Sequence, residues 1–90
     1  MKKHFSIQVW GRVQGVLFRD SARRKAQHLG ITGFVRNEPD GSVYLEAEGE
    51  ENALKDFTSW CGRGSLFAQV ERVETREGEL KGYTSFKLMR

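Results

Sequence analysis

Two apolar stripes at helical spacing, set among segments whose apolar residues alternate, constrain the fold of this chain more than any other feature of the sequence. In the first, Phe18, Ala22, Ala26 and Leu29 recur on one helical face, Arg23, Arg24, Lys25 and Gln27 occupy the others, and Gly30 supplies a C-terminal stop. The second helix begins near Glu50 or Glu51, aligns Ala53, Leu54, Phe57, Trp60 and Cys61, and closes at Gly62 and Gly64. Around these helices the period changes to two. Phe5, Ile7 and Val9 alternate with Ser6, Gln8 and Trp10; a second strand is expected from about Ile31 to Asn37. The turn NEPDGS, with Pro39 and Asp40-Gly41, leads into a third strand with Val43, Leu45 and Ala47 inward and Ser42, Tyr44, Glu46 and Glu48 outward. AQVERVETRE reads as strand four. An exposed turn from Gly78 to Gly82 follows, and Tyr83 to Met89 alternates again with Phe86 and Leu88 on one side.

The order is βαββαβ with a final short strand. Helices that each bury one stripe, combined with alternating strands, predict an α+β ferredoxin-like sandwich: an antiparallel sheet with two helices on one face. A chain of 90 residues supports one core of two layers, so residues 1–90 are expected to form a single domain with one site. No repeat or linker interrupts it. The N-terminal segment alternates and has no unbroken apolar run, so neither a signal peptide nor a membrane span is expected. Cys61 has no second cysteine to pair with, which points to a reducing compartment and a cytoplasmic protein. A formal charge of +3 suits an anionic small ligand without demanding one.

WGRVQGVLFR, from Trp10 to Arg19, joins the first strand to the first helix. Glycines bracket the turn, an arginine falls in the first helical turn, and no acidic residue interrupts the stretch. Such a loop points unpaired backbone NH groups at one spot, and the helix dipole adds roughly half a positive charge there. It is the layout of an anion cradle. Arg19 opposes the helix dipole by roughly 0.3–1 kcal/mol, a cost that hints at function; the alternative is a solvated arginine whose neighbour Asp20 repairs the dipole. Taken alone, Gly11 and Gly15 read as turn glycines, and Asn37 as a turn former before Pro39.

Together, GRVQGVLFR after strand one and GFVRNEPDGSVYLEAEG across the following hairpin resemble the two signatures of the acylphosphatase family, and the resemblance covers essentially the whole chain. It implies a ferredoxin-like fold and hydrolysis of the carboxyl-phosphate anhydride. It also implies two catalytic residues, Arg19 at the end of the first signature and Asn37 before the hairpin turn. Where the family commonly has a threonine, three residues after that arginine, this chain has Ala22. Ser21 lies about 100° around the helix and is a poor substitute.

The residues suit that chemistry. A carboxylate leaving group, with a conjugate-acid pKa near ~4, departs without a proton, so no general acid is needed. Neither signature carries a histidine or a carboxylate pair, and no convincing metal-ligand spacing occurs, so no metal and no cofactor are expected. What remains is positioning and charge stabilisation. The loop NH groups of Val13, Gln14, Gly15, Val16, Leu17 and Phe18 are expected to hold the phosphoryl oxygens together with Arg19, whose guanidinium clamps them, while the Asn37 amide orients the attacking water. Partners would be small-molecule acyl phosphates, with inorganic phosphate or sulfate as product-like ligands; no nucleic acid and no membrane are expected, and the chain is expected to be a monomer.

The rival from another class is an RNA-recognition module, which shares the βαββαβ order. Its RNP1 pattern is absent, and Tyr44 between Glu46 and Glu48 would give strand three an open face that repels phosphates. A second rival is a relative that has lost catalysis; the intact Arg19 and Asn37 argue against it. His4 and His28 have no partner at ligand spacing and are read as surface or edge residues. Cys61, Phe57 and Trp60 are read as core.

Overall fold

A computed structural model describes residues 1–90. The chain forms β1 (Lys2–Arg12), α1 (Phe18–His28), β2 (Thr32–Asn37), β3 (Val43–Glu50), α2 (Glu51–Arg63), β4 (Gln69–Gly78) and β5 (Phe86–Leu88). The sheet order is β4-β1-β3-β2-β5. The two helices lie together on one face, α1 over β2 and β5, α2 over β1, β3 and β4. The ferredoxin-like sandwich expected from the periodicity is therefore present.

Both predicted stripes face the sheet. Phe18, Ala22 and Ala26 of α1 and Leu54, Phe57 and Cys61 of α2 are buried against Ile7, Val9, Val35, Val43, Leu45 and Ala47. Gly30, at φ 72°, ends α1: its NH donates to the carbonyl of Gln27, and that of Ile31 to Ala26. Ala22, at the position where relatives commonly carry threonine, is fully buried in this core. Phe57 stacks on Trp60 and meets Phe86 edge-on at 5.9 Å.

The sheet departs from the expectation in one respect, because it is not antiparallel throughout. β1, β2, β3 and β4 pair antiparallel, but β5 lies parallel to β2, with Gly33 opposite Phe86 and Val35 opposite Leu88. The cause is the route of the chain. β4 ends beside His4 at the starting end of β1. Residues 79–85 then cross the sheet, and β5 enters the far edge at the end where β2 begins.

That crossing is a strap bonded to the helix-free face, and the expected turn at Gly78–Gly82 is part of it. Its residues are exposed apart from a half-buried Tyr83, yet the NH groups of Lys81, Gly82 and Tyr83 all donate to the Glu48 carboxylate. Tyr83 Oη donates to Glu46, and its ring sits edge-on to Phe34. Beneath the strap, His4 is only 4% exposed, with Nδ1 2.7 Å from Glu48 and Nε2 3.3 Å from Glu46. The reading of His4 as a surface or edge residue is thus corrected. Strand alternation puts it on the open face, and the strap covers it. His28 is exposed as expected.

The topology also fixes where a site can be built. β1 and β2 both run antiparallel to β3, so they run parallel to each other, and β5 follows β2. The C-terminal ends of all three strands consequently lie at one end of the sheet. The cradle loop leaves β1 there, Asn37 closes β2 there, and Met89 follows β5 there.

Candidate active site

The loop from β1 to α1 leaves its backbone donors free. No NH group from Val13 to Asp20 donates to a backbone carbonyl, the first helical bond being from Ser21 to Leu17, and Leu17 makes no side-chain cap. The free donors of the first helical turn thus continue a run that starts in the loop. Two left-handed residues set its path, Gly15 at φ 71° and Leu17 at φ 63°, ψ 22°. Glycine takes this conformation at little cost, whereas a leucine there costs about 1–2 kcal/mol. The Leu17 side chain is 67% exposed, so packing does not offset the strain. At the strand end, the pairing with β4 shifts register between Trp10 and Gly11, where Glu71 of β4 is the extra residue, and a Cβ on Gly11 would overlap the carbonyl of Gln69. Buried Val13 and Val16 anchor the loop from below.

Side chains tie this loop to its surroundings. Gln14 Nε2 donates to the carbonyl oxygens of Glu38 and Ser42, each at 2.8 Å, and so fastens the loop to the β2–β3 hairpin. Ser65 Oγ, beyond α2, donates to the Val16 carbonyl at 2.7 Å. Arg19 Nη1 donates to the Met89 carbonyl at 2.7 Å, so the guanidinium is held by the chain that leaves β5. Asp20 does not pair with Arg19. Its carboxylate bonds Arg23 at 2.7 Å and Arg24 at 3.1 Å, which leaves the Arg19 charge without an acidic partner.

Asn37 ends β2 next to the hairpin turn. That turn is closed by bonds from the Glu38 NH to the Ser42 carbonyl and from the Gly41 NH to the Glu38 carbonyl. Asp40 completes it: hydrogen bonds from the Ser42 hydroxyl and NH hold its carboxyl below the usual carboxylate range. The Asn37 side chain takes no part in the turn. Its Oδ1 is buried and has no hydrogen-bond donor within the protein. Buried polar atoms are paired in the great majority of cases, so this one calls for an explanation.

Val13, Gly15, Leu17, Phe18, Arg19, Asp20, Asn37 and Leu88 line one cavity of about 240 Å³. A shallower hollow bordered by Arg19, Asn37, Leu88 and Arg90 adjoins it. Arg19 and Asn37, 18 positions apart in sequence, thus face the same space as the cradle. Of the other residues expected in the cradle, Gln14 and Val16 do not line the cavity. The Gln14 side chain faces the hairpin, and Val16 faces the core; their backbone NH groups remain free. Nowhere do three or more His, Cys, Asp or Glu side chains converge in a way that could hold a metal ion. Sequence reasoning missed Leu88, Arg90 and the Met89 carbonyl. Only the parallel pairing of β5 with β2 brings them to the site, and no local motif signals that pairing.

Comparison with known proteins points the same way. The acylphosphatase family model matches residues 5–88. An acylphosphatase of Nocardioides sp. is 46% identical over 86 residues, covering 96% of this chain and 87% of that protein. Among solved structures, acylphosphatase from Bacillus subtilis superposes with a TM-score of 0.95 at 37% identity, covering all of both chains. An acylphosphatase from Coxiella burnetii does so with a TM-score of 0.95 at 36% identity, over 98% of this chain and 93% of that one. A match over nearly the whole length in both sequence and structure establishes that this chain belongs to the acylphosphatase family.

Proposed function

We propose that this chain is an acylphosphatase whose residues 1–90 act as one domain. It hydrolyses the carboxyl-phosphate bond of small acyl phosphates to a carboxylate and inorganic phosphate, without a metal ion. The observation that carries this reading is the buried Asn37 Oδ1, which has no donor in the protein and belongs to a residue lining the same cavity as Arg19. Oδ1 accepts a hydrogen bond from the attacking water and so aims the water oxygen at phosphorus. The free NH groups of the loop and the Arg19 guanidinium hold the phosphoryl oxygens, with the helix N-terminus adding its field. As the bond from water oxygen to phosphorus forms, the bond from phosphorus to the acyl oxygen breaks. Its electron pair leaves with the carboxylate, and the water's proton passes to a phosphate oxygen. No acid is needed for a leaving group with a conjugate-acid pKa near ~4, which suits a cavity whose one carboxylate, that of Asp20, is engaged by Arg23 and Arg24.

Inorganic phosphate or sulfate fills the same cradle as a product-like ligand. A monomer in the cytoplasm belongs to the same reading, and the unpaired, buried Cys61 thiol suits a reducing compartment. The test is phosphate release from acetyl or benzoyl phosphate in EDTA. Wild type should be active and competitively inhibited by phosphate, whereas Arg19→Ala and Asn37→Ala should fold and be nearly inactive. Dependence on added metal, or an active Arg19→Ala, would refute the mechanism.

A further inference from the structure

The cluster under the strap lies at the opposite end of the sheet from the cavity, and the proposed reaction does not use it. Glu48 is 5% exposed and accepts four hydrogen bonds, from the backbone NH groups of Lys81, Gly82 and Tyr83 and from His4. A buried carboxylate with this many donors is a strong clamp, because removing it leaves several donors unsatisfied at once. What it clamps is the segment that delivers β5. Ser85, at the end of the strap, accepts the Gly33 NH at 2.9 Å. Three residues of strand follow, the Met89 NH donates to Val35 at 2.8 Å, and the Met89 carbonyl receives Arg19. With only three residues in β5, the register of this edge depends on its attachments. Phe86, in the core, is one. The strap's hold on the open face is the other, made by three backbone bonds to Glu48 and one from Tyr83 to Glu46.

We infer that Glu48 is a positioning residue for Arg19: by fixing the 79–85 strap it sets the register of β5, and thereby the carbonyl against which the guanidinium is braced. His4 supports it from β1. Of the charged and titratable groups around them, Glu46 and Tyr44 come from β3, and Lys81 and Tyr83 from the strap. This inference rests on the functional reading above, in which Arg19 grips the phosphoryl group.

The test compares wild type, Glu48→Gln and His4→Gln by amide hydrogen exchange, by kcat and KM for acetyl phosphate, and by the inhibition constant of inorganic phosphate. In Glu48→Gln an NH2 group replaces an accepting oxygen, so exchange of the amides from Lys81 to Met89 should rise at least about tenfold while those of β1 and β3 stay protected. The kcat/KM should fall about tenfold, and the phosphate inhibition constant should rise by a similar factor, the scale of one charge-assisted hydrogen bond. His4→Gln removes one of the four donors and should show the same pattern more weakly, so it serves if Glu48→Gln does not fold. Adding Glu48→Gln to Arg19→Ala should not weaken phosphate binding further. The inference is overturned if the strap exchanges freely while activity and phosphate binding stay at wild-type levels, or if the two substitutions weaken phosphate binding additively. Failure of the functional reading would appear differently, as a wild type that releases no phosphate.

Discussion

Replacing Gln14 with alanine removes the one side chain that bonds the cradle loop directly to the β2–β3 hairpin. Two neutral hydrogen bonds of 2.8 Å disappear. Neither carbonyl is orphaned, since Glu38 still accepts from the Gly41 NH and Ser42 from the Glu38 NH. The loss therefore lies at the low end for such bonds, about 0.5–1 kcal/mol each, and the variant should be about 1–2 kcal/mol less stable. For a chain of this length that is a fall in Tm of about 6–10 °C, or a urea midpoint lower by about 1 M with an unchanged slope. The larger effect should be on turnover. Asn37 adjoins Glu38, so releasing the hairpin from the loop lets the amide drift relative to the phosphoryl group, and a misplacement on the order of 1 Å can cost about a hundredfold. We expect kcat in a benzoyl phosphate assay to fall by about tenfold or more. Gln8→Ala is the control. Gln8 donates to the Ser42 hydroxyl from the open face at 3.0 Å, so it touches the same hairpin without holding the loop. It should cost about 1 kcal/mol and leave kcat within twofold of wild type. If Gln14→Ala loses stability but keeps wild-type kcat, or if the two variants lose kcat equally, the bond between loop and hairpin does not position the site.

Two further outcomes follow from strain and charge. Leu17→Gly relieves about 1–2 kcal/mol of left-handed strain against about 0.5–1 kcal/mol of added unfolded-state entropy, so thermal denaturation should show a gain of about 0.5 kcal/mol. Leu17→Val should lose at least about 1 kcal/mol, and a valine variant as stable as wild type would refute the strain. For Glu48, burial pushes the pKa up, but the Lys81 NH, the His4 ring and the Tyr83 and Gly82 NH groups together hold it below its ordinary value of 4.5. Glu46 is likewise driven up by burial and brought below 4.5 by Tyr83, Tyr44 and Lys81. Depressed carboxylates stabilise the fold fully above that value and lose the contribution as pH falls through their folded pKa. Tm should therefore drop below about pH 4.5 with a steeper slope in wild type than in Glu48→Gln, and equal slopes would contradict the assignment.

How much of this was legible in the sequence depended on whether the partners were local. Phe18, Ala22 and Ala26 announce α1, and the Asp40-Gly41 turn announces the hairpin, because period and turn chemistry act within a few residues. The cradle was legible for the same reason, from Gly15 and the start of a helix. The acylphosphatase signatures then singled out Arg19 and Asn37. The attachments were not legible. Gln14, Ser65 and Arg19 each donate to a backbone carbonyl, and an acceptor that every residue carries leaves no trace in the pattern. His4 misled because its partners, Glu46 and Glu48, are brought alongside by the pairing of β1 with β3, and its cover by a segment more than 70 residues away. Likewise, the alternation from Tyr83 to Met89 did not mark where the short final strand begins: only Phe86–Leu88 pair, and Tyr83 is drawn onto the open face by Glu46.

The three parts of the site converge because β1, β2 and β5 end together, and their alignment is therefore only as good as the sheet's register. A slip of one residue in β5 would move the Met89 carbonyl by about 3.3 Å, farther than the Arg19 hydrogen bond could follow without leaving the cavity, and would turn Phe86 away from the core. Burial of Phe86 against Phe57 thus opposes the slip from the helix side, while the Glu48 clamp opposes it from the open face. The cradle itself is held by Val13 and Val16 below and by Gln14 and Ser65 at its sides. Chemistry that relies on fixed dipoles in place of an acid or base needs such anchoring, because donors that must reorganise during the reaction give back most of the stabilisation they offer.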